Sequence, residues 1–186
     1  MAKTNSTMLL PLGTPAPYFE LPDTVSGKTV SLNELKSDTA TVIAFICNHC
    51  PFVKHIIHDL VRVAKQYQAK GVAFIAINSN DVVNFPDDSP ERMRVTAKEL
   101  NFSFPYLYDE SQEVAKAYTA ACTPDFYIFD GKLACVYRGQ FDDSRPGSDR
   151  PITGKDLSQA LDAILAGTPV NAEQKPSLGC NIKWKS

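Results

Sequence analysis

The run Thr41-Val42-Ile43-Ala44-Phe45-Ile46 reads as an apolar β-strand, and it stops at Cys47-Asn48-His49-Cys50-Pro51. Beyond that stop the period changes. Val53, Ile56, Ile57, Leu60, Ala64 and Tyr67 recur at three- and four-residue spacing, the buried face of a helix that Gly71 closes. A strand that becomes a helix across two cysteines is a redox centre in the making. With Cys47 at the helix start, its sulfur faces unpaired backbone N–H groups and the positive end of the helix dipole, which favour thiolate over thiol. Cys50, one turn later, is placed to resolve. The bland alternative is a pair of buried structural cysteines.

Alternating strand and helix patterns flank this junction. Tyr18-Phe19-Glu20-Leu21 and Lys28-Thr29-Val30-Ser31-Leu32 enclose Pro22, Asp23 and Gly27, which predicts a hairpin. Val72-Ala73-Phe74-Ile75-Ala76-Ile77 is nearly all apolar, as a central strand covered on both faces requires. Ser89-Pro90-Glu91 opens a helix reaching about Leu100, with proline where its missing N–H costs little. Another helix is predicted from about Ser111 to Thr119. Asp125 to Phe129 and Leu133 to Tyr137 flank Asp130-Gly131, a hairpin signal because both turn positions tolerate positive φ. Thr153 is the predicted cap of a last helix through Leu157, Leu161, Ile164 and Leu165, with Gly167 as its stop. The loop from Asp142 to Pro151 is charged and carries Pro and Gly, and reads as an exposed insertion. After residue 168 periodicity disappears, although Leu178, Cys180, Ile182 and Trp184 suit an extended arm packed back on the domain.

Composition narrows the function. The 186 residues, 44% apolar, fit one α/β domain spanning 1–186, with an opening segment over 1–38 and an extended tail over 168–186. Nineteen basic against 21 acidic side chains leave a net charge of −2, which points to neither nucleic acid nor a membrane as partner. There is no internal repeat and no phosphate-cradling Gly-rich loop, so nucleotide chemistry has no support. Met1 to Leu12 holds one cation and a short, broken apolar stretch, too little for a signal peptide. No later segment approaches the roughly 18 apolar residues of a membrane span, so the expected compartment is the cytoplasm. The five cysteines are too few and odd in number for a disulfide-stapled scaffold, and a reducing compartment keeps most of them as thiols.

Hairpin, strand, Cys-x-x-Cys helix, strand, helix, then Thr123-Pro124 before a second hairpin resembles a thioredoxin-fold protein of the peroxiredoxin-like redoxin group. The opening Leu12-Gly13-Thr14-Pro15-Ala16-Pro17-Tyr18-Phe19-Glu20-Leu21-Pro22 is similar to that of alkyl-hydroperoxide-reductase-like proteins. The resemblance implies a three-layer α/β/α sandwich with a mixed central sheet and an N-terminal β-hairpin extension. It implies disulfide exchange through Cys47 attack and Cys50 resolution, with a cis peptide at Pro124 that sets the Thr123 backbone beside Cys47. That backbone would offer an extended substrate a hydrogen-bonding edge, flanked by Asn48 and Pro51. The expected partners are protein or small-molecule disulfides and thiols, with an external dithiol reductant to close the cycle, and the resemblance implies a place in antioxidant defence. No cofactor is expected.

His49 tunes this expectation, because an imidazole near Cys47 stabilises its thiolate and favours the reduced, more oxidising pair. Protein disulfide isomerase and the periplasmic disulfide-forming oxidases resemble the chain in that slot. Peroxidase activity is the competing enzyme reading. Peroxiredoxins carry Thr or Ser three residues before the peroxidatic cysteine, and here the residue before Cys50 at that spacing is Cys47. A third reading, a copper- or zinc-binding chaperone, draws on Cys47, His49, Cys50, His55 and His58. Against it, His55 and His58 share a helix with Cys50 and read as solvated side chains. Lys54 is either a thiolate-stabilising cation or a solvated lysine. Cys122 is either a third redox thiol or a small buried hydrophobe. Cys135 reads as core, and Cys180 as an auxiliary thiol or an inert one. Asn78, Asn80 and Asp81 stand at the strand end where α/β folds place their sites, to contact substrate or to cap a turn.

Overall fold

Residues 2–186 are described by a computed structural model, so Met1 of the opening segment lies outside the described residues. Lys3–Asn5 forms strand β1, which the sequence pattern does not announce. The hairpin follows as β2 (Glu20–Pro22) and β3 (Thr29–Ser31), with Leu21 opposite Val30. Asp23 holds its turn by accepting from the Val25 and Ser26 amides. Ser31 then starts α1 (Leu32–Leu35) with a reciprocal cap, in which its hydroxyl accepts from the Glu34 amide while Glu34 accepts from the Ser31 amide.

The apolar run is β4 (Ala40–Phe45), buried along its whole length. Successive side chains point to opposite faces, so Val42 and Ala44 join one core cluster and Ile43 and Phe45 the other. Helix α2 (Pro51–Gln68) buries the predicted apolar stripe, and β5 (Val72–Asn78) follows it in parallel with β4. A 3₁₀ turn at Pro86–Asp88 leads to α3 (Pro90–Glu99), whose Ser89 hydroxyl accepts from the Arg92 amide. Next come β6 (Tyr106–Tyr108), α4 (Glu113–Ala117), β7 (Cys122–Thr123), β8 (Asp125–Asp130), β9 (Cys135–Gly139), α5 (Lys155–Leu165) and β10 (Leu178–Asn181).

The main sheet runs β6-β5-β4-β8-β9, with β4, β5 and β6 parallel and β8 and β9 antiparallel. Helices α2, α3 and α5 pack on one face; α1, α4, Leu10, Phe19 and Leu21 cover the other. This is the mixed-sheet, three-layer α/β/α thioredoxin-like fold that the resemblance implied. Each fully buried Val, Leu or Ile contributes roughly 1.5–3 kcal/mol, so the two clusters fix the sheet between its layers. No helix among the described residues is long and apolar enough to cross a membrane.

Three local expectations are corrected. The turn after β8 needs no positive φ at Gly131; Leu133 takes φ 60 instead, and the Asp130 carboxylate accepts from the Lys132 and Ala134 amides. Glycine is required at 131 for space, because a Cβ there would sit 2.0 Å from the Asp38 carbonyl oxygen. Helix α5 is capped by Gly154, and Thr153 instead uses its hydroxyl to accept from the Lys155 amide. The 142–151 loop is exposed only in its second half. Asp142 is buried and accepts from the Ser144, Thr153 and Gly154 amides, which folds the loop back on itself.

The tail does pack back, though Trp184 remains 42% exposed. Strand β10 lies between β1 and β7 in a second sheet, with Cys180 opposite Lys3 on one side and Thr123 on the other. Gly179 makes this approach possible, since a Cβ would fall 2.0 Å from the Thr123 carbonyl oxygen. Gly179→Ala is expected to cost about 3 kcal/mol by forcing β10 off β7. Denaturant unfolding checks this, and an unchanged midpoint would mean that the backbone yields without cost.

Candidate active site

The chain crosses from β4 to α2 through Cys47, Asn48, His49 and Cys50. Contrary to the sequence reading, the helix starts at Pro51 and Cys47 lies ahead of it. Pro51 supplies the preset φ of a first helical residue, and Cys50 is the N-cap, with extended φ −70 and ψ 124. The unpaired amides and the positive helix end therefore serve Cys50 rather than Cys47.

Asp88, at the end of the 3₁₀ turn, organises the loop between the two cysteines. Its carboxylate accepts from the Asn48 amide at 2.7 Å and the Asn80 side-chain amide at 2.8 Å, and meets His49 Nδ1 at 2.5 Å. Burial pushes the Asp88 carboxyl up, but hydrogen bonds from His49, Asn80 and Asn48 outweigh it and hold the group below its ordinary range. The His49 ring stacks on Phe85, centroids 5.4 Å apart, and its Nε2 is buried without a hydrogen-bond partner. Asn48 donates from its side chain to the Asp87 carbonyl and accepts from the Tyr106 hydroxyl. Its amide is thus committed inside the protein rather than turned towards substrate.

The Thr123–Pro124 peptide is cis, and the Thr123 hydroxyl lies 3.3 Å from Cys47 Sγ. The backbone edge expected to receive substrate is not free, because β10 pairs with it. Cys47 instead opens, 2% exposed, onto a shallow apolar groove that includes Ile46, Val53, Ile57, Leu100 and Phe102.

Cys50 is fully buried, and its sulfur lies 3.2 Å from the Thr123 carbonyl oxygen and 2.7 Å from Cys180 Sγ. Its thiol is pulled down to about 5: Cys47 donates to it, burial opposes, and Cys180 and the Val53 amide add further stabilisation. Cys47 moves the other way, raised by its hydrogen bond to Cys50, by burial and by the Asp88 charge. The hydrogen bond between the two sulfurs thus favours negative charge on Cys50 over Cys47. The stabilising role expected of His49 is also redirected. Its ring faces the Asp88 carboxylate, whose negative charge opposes a thiolate on Cys47. Asp88→Asn should lower the Cys47 pKa, read as a fall in the pH midpoint of its alkylation. An unmoved midpoint would show that Cys47 does not feel this carboxylate.

The remaining candidates separate cleanly. Cys122 is buried near the Pro124 carbonyl, and burial pushes its thiol up strongly, as for a small apolar residue. Cys135 lies in the core with its thiol pushed up to about 11 by burial. Pro51 and Lys54 are exposed at the helix start. Asn78, Asn80 and Asp81 are buried; Asn80 also accepts from the Lys183 amide, so this strand end braces Asp88 and the tail. Cys47, His49 and Asp88 bring potential metal-ligand atoms within 4.8 Å of one another. His55 and His58 stand apart from that group: His55 pairs with the Ser144 hydroxyl and His58 is exposed. Asp88 and Phe85 escaped the sequence reading, for which the only signal was Phe85-Pro86-Asp87-Asp88 before a helix.

The fold recurs in solved proteins. An uncharacterized conserved protein from Geobacillus kaustophilus is 62% identical, with a TM-score of 0.97 over 100% of this chain and 97% of its own. A hypothetical protein from Sinorhizobium meliloti is 49% identical, with a TM-score of 0.95 over 98% of this chain and 99% of its own. A thioredoxin-family thiol:disulfide interchange protein from Chlorobium tepidum shares the fold at 20% identity, with a TM-score of 0.62 over 82% of this chain and 97% of its own. No curated protein matches the chain. The AhpC/TSA family model matches residues 12–137. That stretch runs from the opening segment into β9 and takes in Cys47, Cys50, Asp88 and the cis-proline, and on it the chain belongs to the AhpC/TSA family.

Proposed function

We propose that this thiol redox protein exchanges disulfides, with Cys47 as the attacking sulfur and Cys50 as the resolving one. The observation that carries the reading is the placement of the two sulfurs around the cis-proline: Cys47 lines the groove, 3.3 Å from the Thr123 hydroxyl, and Cys50 lies behind it at the helix N-cap, 3.2 Å from the Thr123 carbonyl oxygen. In the reducing direction Cys47 passes its proton to Cys50 as it bonds to one substrate sulfur, and the other leaves as a thiolate. That thiolate takes the proton from Cys50. The Cys50 thiolate then attacks Cys47 sulfur, the mixed disulfide breaks, and the second substrate sulfur leaves as a thiolate that takes its proton from water, so the substrate departs as a dithiol. Two electrons have moved from the cysteines to the substrate. An external dithiol reverses the sequence on the enzyme and returns it to the reduced state.

Protein or small-molecule disulfides are the proposed substrates. Because β10 occupies the Thr123 edge, they reach Cys47 across the apolar groove between α2 and α3. Cys50→Ser removes the resolving sulfur and should trap the first intermediate. Mass spectrometry after treatment with oxidised glutathione is expected to find a glutathione adduct on Cys47. A folded Cys50→Ser protein that forms none would overturn the assignment of Cys47.

A further inference from the structure

Cys50 has two thiol neighbours. Cys47 approaches from the loop ahead of α2, and Cys180 approaches from β10 with 2.7 Å between the sulfurs. The second approach is built by the backbone: Cys180 pairs in register with Thr123 and with Lys3, and Gly179 allows the close fit against the Thr123 carbonyl. Both sulfurs are shielded, with Cys50 fully buried and Cys180 3% exposed.

We propose that Cys180 is a second exchange partner for Cys50, which moves the disulfide of the oxidised protein from Cys47–Cys50 to Cys50–Cys180 and returns Cys47 as a free thiol. The step rests on the Cys47–Cys50 exchange proposed above. The Cys180 sulfur bonds to Cys50 Sγ, the Cys47–Cys50 bond breaks, and its electron pair leaves on Cys47, which takes up the proton lost by Cys180. One disulfide is consumed and one is formed, so no oxidant or reductant is needed.

The electrostatics set the order of events. In the reduced protein, burial and the Cys50 charge push the Cys180 thiol up to about 12, with Lys183 opposing. Once Cys50 is held in a disulfide it carries no charge and accepts no proton. Both contributions from Cys50 then vanish while those of burial and Lys183 persist, so the Cys180 thiol ionises more readily once the first disulfide exists. The product links residues 130 apart in sequence and ties the tail to the start of α2. A link of that span constrains the unfolded chain far more than the Cys47–Cys50 link.

The test uses the full chain, reduced and then treated with a limiting amount of oxidised glutathione. Samples are acid-quenched over time, alkylated and mapped by mass spectrometry. The expected result is a Cys50–Cys180 link with Cys47 alkylated, growing as the Cys47–Cys50 link declines. Oxidised wild type should also unfold at higher denaturant than oxidised Cys180→Ser. Oxidised molecules that carry only Cys47–Cys50, with Cys180 alkylated at every time, would overturn the proposal and leave the exchange function standing. A protein that forms neither link, and no adduct on Cys47, would overturn that function and this inference together.

Discussion

Serine in place of Cys47 is expected to bring reduction of oxidised glutathione down to the buffer rate, a loss on the order of 10³-fold or more. The size follows from access and from chemistry. Cys50 is wholly buried and meets the groove only through Cys47, and a serine hydroxyl is not a nucleophile at neutral pH without a base aimed at it. The fold should survive, since a serine at 47 keeps a hydroxyl facing the Thr123 hydroxyl now 3.3 Å from the sulfur. Equal unfolding midpoints in wild type and variant, measured in the reduced state, separate lost chemistry from lost structure. If the variant keeps most of the activity while Cys50→Ser loses it, the attacking sulfur is Cys50, and the groove is not the route of entry.

The second large effect concerns a carboxyl that takes no part in exchange. Asp125 opens β8 in full burial, where it accepts from the Phe126 amide and the Tyr127 hydroxyl, both at 3.1 Å. Burial pushes its pKa up to about 7, against hydrogen bonds from Tyr127, Ser177 and Phe126. The fold therefore prefers the neutral acid. Below the unfolded value, near 3.9, the group is protonated in both states and its contribution is intact. As pH rises towards 7 the unfolded chain ionises first, and stability falls by up to about 4 kcal/mol. Above 7 the loss is complete. Asp125→Asn removes that titration, so the stability of the variant relative to wild type should rise by up to about 4 kcal/mol between pH 4 and pH 8. A constant difference across that range, in denaturant unfolding at each pH, would show that Asp125 titrates alike in both states.

The elements that declare themselves in the sequence are those whose own residues carry the packing. Strands β4 and β5 are apolar because both faces are covered, and α2 shows its stripe because one face is buried. The two cysteines are legible from the junction of strand and helix, and the cis-proline through resemblance. What escaped depends on partners far along the chain. Strand β1 has only three residues and exists because β10 supplies its ladder, while the tail reads as an extended arm without showing that it covers the edge of β7. Asp88 reads as one acid among several in a Pro-Asp-Asp-Ser turn, and only the return of the chain beside His49, 39 positions earlier, makes it the anchor of the site. Pro51, whose ring marks the first helical residue, sets the start of α2 beyond Cys47, where the cysteine spacing alone points to Cys47. The stabilisation of a thiolate goes with it, to Cys50.

The pairing of β10 with β7 also decides what that edge can hold. Its backbone donors and acceptors are spent within the molecule, because Cys180 stands opposite Thr123 and Asn181 opposite Cys122. A strand from another molecule gains no ladder there unless it first displaces the four residues of β10, which β1 holds from the other side. The tail is thus a cover for an edge that would otherwise be open to strand exchange between molecules.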